Sequence, residues 1–415
     1  MKRGKDTKQL SLGEKKGFFQ SDGFSNAMAS VLAIMVGLLF GLVALFIIRP
    51  ERALQGFGLI LSGSFNGGAK GIGEVLYFAT PIILTGLSVG FAFKTGLFNI
   101  GASGQYVVGA FTAIYIGIKW TWLPEPWHWI VAILVAAIAG GVWAMVPGFF
   151  KAYLNVNEVI SCIMMNYIGM LSVNMLFENG EGLYNTLKAQ NMDVASSAVL
   201  PKLGMDKIFM TQKGSYVDAS SVNIGIFIAI AIAIVIYMLL NKTTFGYELK
   251  ACGHNRFASR YAGINEKRSI ILSMVIAGSM AAIAGALMYL APAEGRHLKP
   301  IEELASEGFN GIFIALLGLS NPIGIVFSGL FVSYIQYGGE YLQTIKIAKE
   351  MISIIIAIII YFSAFSLVFR NFAKKLFGGG GRKKPKKPGD VDHPGDSGKG
   401  ILPPDVAEPH AKEAK

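Results

Sequence analysis

The sequence predicts an all-α membrane protein, a polytopic bundle of about ten transmembrane helices. Three observations predict it. The 415 residues are 53% hydrophobic and only 15% charged, where a soluble domain carries about a quarter charged residues. The apolar residues are gathered into blocks of membrane-spanning length. The formal net charge of +11 sits at the flanks of those blocks. Residues 1–20 hold six basic and two acidic side chains, 241–268 six and two, and 374–415 ten and six. Each patch is +4, which leaves the apolar remainder close to neutral. Charge so placed suits membrane topology and argues against nucleic acid as a partner.

The first apolar block, 26–48, follows a basic arm, 1–25. It is too long for the core of a secretory signal and lacks a small-x-small cleavage site, so it reads as a retained first helix. Further spans fall at 74–93, 97–118, 129–149, 158–177, 222–240, 269–290, 306–319, 322–338 and 350–369. About 20 residues are needed to cross roughly 30 Å of hydrocarbon. The eighth block, 306–319, is therefore short, and is expected to be tilted or, if protein buries it, re-entrant. With the N-terminus inside, the inner segments hold 25 of the 37 Lys and Arg residues, which places both termini in the cytoplasm.

The segment 178–221 is polar and long enough for a small extracytoplasmic cap. Trp120, Trp122, Trp127 and Trp129 cluster at the third-to-fourth connection, where amphipathic rings favour the headgroup layer. The transmembrane domain thus covers 26–370. Residues 371–415 follow as a basic tail of disordered composition, with glycines at 378–381 and a basic run at 382–387. That run is expected either to touch anionic lipid or to act as a solvated topology anchor.

Two cysteines, Cys162 and Cys252, and five scattered histidines make neither a disulfide framework nor a metal site. No glycine-rich phosphate loop is present; Lys94-Thr95 follows Phe93, where such a loop needs glycine. The expectation is a protein with no catalytic residue, metal or directly bound cofactor, which does not itself hydrolyse nucleotide.

Three segments carry more information than apolar packing requires. Small pairs such as Gly37 and Gly41, Gly86 and Gly90, and Ala281 and Gly285 serve any compact bundle. The run Asn99-Ile100-Gly101-Ala102-Ser103-Gly104-Gln105 is different, because its amides and hydroxyl are costly in hydrocarbon unless they face protein or water. It reads either as a polar lining of a substrate passage or as helix–helix hydrogen bonding. A second polar run, Asn155-Val156-Asn157-Glu158-Val159-Ile160-Ser161, continues to Asn166 and Asn174. Glu158 complements a helix N-terminus there, whereas Ser161 and Asn166 lie deeper. In the third, 245–264, Gly253 suits a left-handed helix ending, Asn255 a helix start and Gly263 a second ending. Between them Arg256 to Ala262 make a two-turn basic and aromatic helix on the inner face, fit to enter a groove on a partner.

That loop resembles the G-x-x-L-R-A-x-G-x-N-x-x-A-x-x-x-G-I coupling loop of ATP-binding-cassette importer permeases of the ribose, simple-sugar and nucleoside class. Gly246, Leu249, Ala251, Gly253, Asn255, Ala258, Ala262, Gly263 and Ile264 fit it. Lys250 replaces the usual arginine, and Arg256 stands where proline is common. The run from Asn99 to Gln105 is similar to the N-I-G-x-E-G-Q signature of the nucleoside branch, with Ser103 in place of glutamate. Asn157-Glu158-Val159-Ile160-Ser161 and Met165-Asn166-Tyr167-Ile168 resemble its N-E-V-I-S and L-N-Y-I stretches.

The resemblance implies a type II-like permease fold in the bacterial cytoplasmic membrane and a transport subunit that is not an enzyme. It implies coupling to an ATPase through Gly246, Glu248, Lys250, Gly253, Asn255, Arg256, Ala258, Arg260 and Gly263. The passage would involve Asn99, Gly101, Ser103, Gln105, Ser161 and Asn166. Implied partners are an ATPase, often a fused double cassette, that uses the ATP; a second permease subunit, the same chain or a distinct one; and an extracytoplasmic substrate-binding protein. The expected activity is ATP-driven uptake of nucleosides by alternating access. Uptake of ribose, galactose or another simple sugar is the alternative within the class, and an ion-coupled secondary transporter the alternative outside it. Few buried charges disfavour the last.

Overall fold

The computed structural model describes residues 22–213, 216–291, 297–348 and 350–365. Most of the basic arm and the whole of the 371–415 tail, with its glycine and basic runs, lie outside the described residues. Fourteen helices are described: α1 (Asp22–Ile48), α2 (Ala53–Asn66), α3 (Gly68–Lys94), α4 (Ala102–Lys119), α5 (Trp127–Leu154), α6 (Glu158–Asn179), α7 (Met205–Ile208), α8 (Gly225–Lys242), α9 (Thr244–His254), α10 (Arg256–Tyr261), α11 (Glu266–Tyr289), α12 (Ser306–Leu317), α13 (Pro322–Glu340) and α14 (Met351–Ala364).

Polar side chains set where these helices begin. The Oδ1 of Asn157, Asn255, Asn265 and Asn321 accepts the N–H of Val159, Ala258, Arg268 and Ile323, and Thr243 Oγ1 that of Gly246. Each removes an orphan donor from a first turn, and Pro322 adds the fixed φ that suits a first helical position. At the other end of α5 the chain escapes through Asn155 in the left-handed conformation, φ 52°.

Six helices are long and apolar enough to cross a membrane by length and composition: Met28–Ile48 within α1, then α3, α5, α6, α8 and α11. This carries the expected polytopic bundle, while the count of ten is not reached on that measure. At 12 residues α12 is about 18 Å long, well short of the roughly 30 Å core. Its beginning does not reach an end of the bundle. A non-helical segment, 297–305, leads into it instead, and its backbone is held by side chains: Asn191 Oδ1 accepts from Leu298 N, and Asn174 Nδ2 donates to Ile301 O. Irregular backbone is admissible at membrane depth only when protein supplies such partners.

α3 is almost wholly enclosed and is the hub. α11, α12, α13 and α8 all pack on it, and α11 also packs on α4 and α5. The small pairs legible in the sequence lie at these contacts. Gly37 and Gly41 face Ile359 and Ile355 of α14, Gly86 and Gly90 face α12 and α13, and Gly285 faces the Tyr106 carbonyl. Such residues let backbones approach where lipid offers no hydrophobic drive.

Two ends of the bundle are distinct. At one, residues 178–221 form the cap, with β1 (Tyr184–Asn185) paired antiparallel to β2 (Gln190–Asn191) and β3 (Met210–Lys213) to β4 (Tyr216–Ala219). Two carboxylates tie the cap to α3 with unequal consequence. Glu74 is buried, and its Oε1 accepts from both Ser221 N and Ser221 Oγ. Asp218 pairs with Lys70 at 2.5 Å but is about a third exposed. Replacing Glu74 by leucine should therefore cost about 1–2 kcal/mol by removing the acceptor of two part-buried donors, and Asp218→Asn under about 1 kcal/mol. Thermal unfolding of the two purified variants checks the ranking.

The opposite end carries α9 and α10. Several boundaries depart from the sequence reading. Residues 97–101 are not helical, so α4 starts at Ala102. α2 occupies a stretch expected to be a connection, and α3 starts six residues early, at Gly68. Gly253 does not end a helix, since α9 runs through it to His254.

Candidate functional site

α4 begins inside the bundle, and the polar run before it supplies the bonds that make this possible. Asn99 is fully buried and exchanges two amide hydrogen bonds with Gln105: Asn99 Nδ2 donates to Oε1 at 2.8 Å, and Gln105 Nε2 donates to Oδ1 at 3.0 Å. Asn99 Nδ2 also reaches Ser88 Oγ on α3 at 3.0 Å. Gly101 is the residue before the helix, and a Cβ there would meet Gln105 Nε2 at 2.9 Å and Asn99 Oδ1 at 3.2 Å. From α6, Asn166 clamps the same turn on both sides, its Oδ1 accepting from Gly104 N at 2.8 Å and its Nδ2 donating to Ile100 O at 3.0 Å.

Ser103 completes the set by donating to Ala305 O at 2.9 Å, just before α12. There Gly308 lies against the Ser103 backbone, where a Cβ would come within 2.3 Å of Cα. The first turns of α4 and α12 thus meet inside the bundle, each preceded by non-helical chain. Of the six residues expected at a passage, the structure brings Asn99, Gly101, Ser103, Gln105 and Asn166 into this one cluster. Ser161 is buried on α6 but turns its Oγ back to Asn157 O at 3.2 Å. Glu158, one residue into α6, pairs with Lys151 of α5 at 2.7 Å.

Beside the cluster, towards the cap, lies a cavity of about 400 Å³. Phe78, Pro81 and Ile82 of α3 form one wall, Ser306, Glu307 and Asn310 of α12 a second, and Gln336, Tyr337 and Glu340 of α13 a third, with Glu350 and Ser353 beyond. None of the six residues above lines it. Sequence reasoning missed this cavity. The available signal was Glu307 and Asn310, one turn apart in an apolar stretch where polar groups are costly.

At the far end, Thr243 caps α9, and Gly246 presses on α8, a Cβ there falling 2.0 Å from Leu239 O. Glu248 is exposed and Lys250 half-buried. α10 is closed at both ends. Asn255 Oδ1 accepts from Ala258 N at 3.0 Å, Ser259 Oγ donates back to Asn255 O at 2.9 Å, and Gly263 at φ 81° lets Ile264 N reach Ser259 O at 3.0 Å. This is the left-handed ending the sequence suggested. It presents Phe257 at 75% and Tyr261 at 96% exposure, with Arg260 and Ala258 exposed and Arg256 half-buried. An Asn255→Ala chain should lose about 1 kcal/mol of local helix stability. Faster amide exchange confined to 255–262 is the expected readout.

Two aromatic rings are thus held outward on a short, doubly capped basic helix, uncovered among the described residues. Residues 71–364 match the family described as branched-chain amino acid transport system / permease component. The chain is 34% identical over 353 residues to the guanosine ABC transporter permease protein NupP of Bacillus subtilis (strain 168), covering 85% of this chain and 97% of that one. It is 32% identical over 355 residues to the nucleoside ABC transporter permease protein NupB of Lactococcus lactis subsp. cremoris (strain MG1363), covering 84% and 93%. It is 28% identical over 348 residues to the glucose ABC transporter permease protein TsgB13 of Haloferax volcanii, covering 82% and 88%. No solved structure matches.

Proposed function

The chain belongs to the branched-chain amino acid transport system / permease component family, and from that premise we propose that it is the permease subunit of an ATP-binding-cassette importer that takes up nucleosides. It is a multi-pass membrane protein by its family and its apolar helices. The observation that carries the substrate is the similarity to two permeases named for guanosine and nucleosides, along nearly their whole lengths. An uncharged, hydroxyl-rich solute also suits a passage lined by amides, hydroxyls and carboxylates, which offer many hydrogen bonds and, among the described residues, no cation for a phosphate.

In this reading the chain breaks no bond of its cargo and holds no cofactor. A separate ATPase, in the double-cassette form, grips α9 and α10 on the cytoplasmic face and uses the ATP. Its closure moves α10, Gly253 passes the displacement to the end of α3, and α3 carries it to the cavity wall at Phe78, Pro81 and Ile82. Asn99, Gly101, Ser103, Gln105, Ser161 and Asn166 belong to the passage by holding α4, α6 and α12 in one block around it. A second permease subunit completes the passage and a substrate-binding protein delivers to the cap end. Both termini face the cytoplasm of a bacterial cell.

Competition against labelled guanosine uptake tests the substrate. Unlabelled nucleosides should compete, while ribose, galactose and glucose should not. The reverse pattern would favour the sugar reading, which the glucose permease relative and Ser103 support.

A further inference from the structure

A second, larger cavity of about 690 Å³ lies at the α9–α10 end of the bundle, away from the passage. Its wall is mostly apolar and much of that wall is open. Phe327 is 69% exposed, Ile323 48% and Val31 47%. Phe331, Leu317 and Leu319 continue the lining, and Lys94, the last residue of α3, supplies its one charge; no acidic side chain among the described residues lines it. The serines near it are already committed, Ser30 donating to Leu317 O and Ser328 to Gly324 O.

Lys94 is neither hydrogen-bonded nor ion-paired among the described residues, and the charge acting on it is a second cation, Lys250 of α9. One ammonium group on the wall of an apolar slot, with a second cation near it, makes a poor arrangement for the chain alone and a good one for an amphiphile with an anionic head and a hydrocarbon tail.

The geometry points to a binding groove for an anionic phospholipid, its phosphate at Lys94 and an acyl chain along Phe327, Phe331 and Ile323. Charge complementarity selects this occupant. A segment of basic character would be repelled, and a purely apolar helix would bury Lys94 without a counter-charge. Because Lys250 of α9 lies near Lys94, a lipid seated there adjoins the element proposed above to receive the ATPase. The leaflet, though not the groove, rests on that reading.

Native mass spectrometry of the full-length chain, released from nanodiscs of equal phosphatidylglycerol and phosphatidylcholine, tests it without any transport step. The wild-type chain should retain phosphatidylglycerol in preference, and Lys94→Gln should lower that preference about five-fold, the weight of one cation near an anionic surface. Lys94→Arg should preserve it, and all three chains should share one thermal midpoint in phosphatidylcholine alone. Equal retention of the two lipids by the wild-type chain, or an unchanged preference in Lys94→Gln, overturns the inference. So does displacement of the lipid by inorganic phosphate alone, since that would leave the tail no part in binding. In the assembled transporter a photoactivatable phosphatidylglycerol should label the peptide carrying Phe327. Labelling that disappears on assembly would mean a second subunit covers the groove, which also overturns it.

Discussion

A Gly253→Val chain should reach the membrane and join its proposed partners, yet transport about ten-fold more slowly or worse. The reason is a backbone-on-backbone contact. A Cβ at Gly253 would lie 2.7 Å from both Gly96 N and the Thr95 carbonyl carbon, and a Cβ at Gly96 would lie 2.5 Å from Gly253 Cα. No side chain stands between them to rotate away, so the end of α9 must lift off the end of α3. Overpacking of this kind costs about 1–3 kcal/mol, and a ten-fold effect corresponds to roughly 1.4 kcal/mol. Because the contact sits at the proposed joint between ATPase and passage, the cost falls on transmission. ATP hydrolysis by the assembled complex should persist while uptake per ATP falls. Gly96, at φ 74°, tolerates no substitution free of backbone strain, so Gly96→Ala should give the same phenotype. Because both changes break one contact, their combination should cost less than the sum. Normal uptake in Gly253→Val would remove this joint from the account.

The second large effect is expected at Asn166, and it falls on stability before transport. Its amide satisfies Gly104 N and Ile100 O together, at 1% exposure. Asn166→Leu strands a buried donor at Gly104 and a part-buried acceptor at Ile100 at once. At about 1–3 kcal/mol for each such group, it should depress the thermal midpoint by several degrees or more. Water cannot stand in, because α4 and α6 approach closely here; a Cβ on Gly104 would sit 2.7 Å from Asn166 Cα. Asn166→Asp keeps the acceptor for Gly104 N and loses the donor to Ile100 O, so it should lie between wild type and leucine. A leucine variant as stable as wild type would show that the clamp carries no net energy.

These two sites show what a linear reading can and cannot see. Asn99, Gln105 and Asn166 were legible as polar groups too costly to leave unpartnered at depth. Their partners were not, because Ser88 Oγ for Asn99, and Gly104 N and Ile100 O for Asn166, are chosen by packing between separate elements. The capped helix α10 was legible because its Asn255 and Gly263 devices are local. Gly253 was misread as a helix ending for the same reason: glycine at that position answers to Gly96, more than 150 residues away, and not to its own backbone. The short α12 was flagged by its length alone, but its entry through 297–305 depends on Asn174 and Asn191, two amides from α6 and the cap. α2 escaped notice because its glycines and polar residues look like a connection until α3 and α13 pack against it. The 400 Å³ cavity is a product of three helices meeting, and Glu307, Asn310, Gln336 and Glu340 carry no mark in the sequence that would join them.

In the proposed function this chain is a passage whose driving force is supplied by another protein. Labelled guanosine accumulation in sealed vesicles measures that directly, comparing the chain reconstituted alone with the chain reconstituted with its ATPase, permease and binding-protein partners and ATP. Accumulation above the external concentration only in the complete, ATP-supplied vesicles is the predicted result. Concentrative uptake by this chain alone would contradict it.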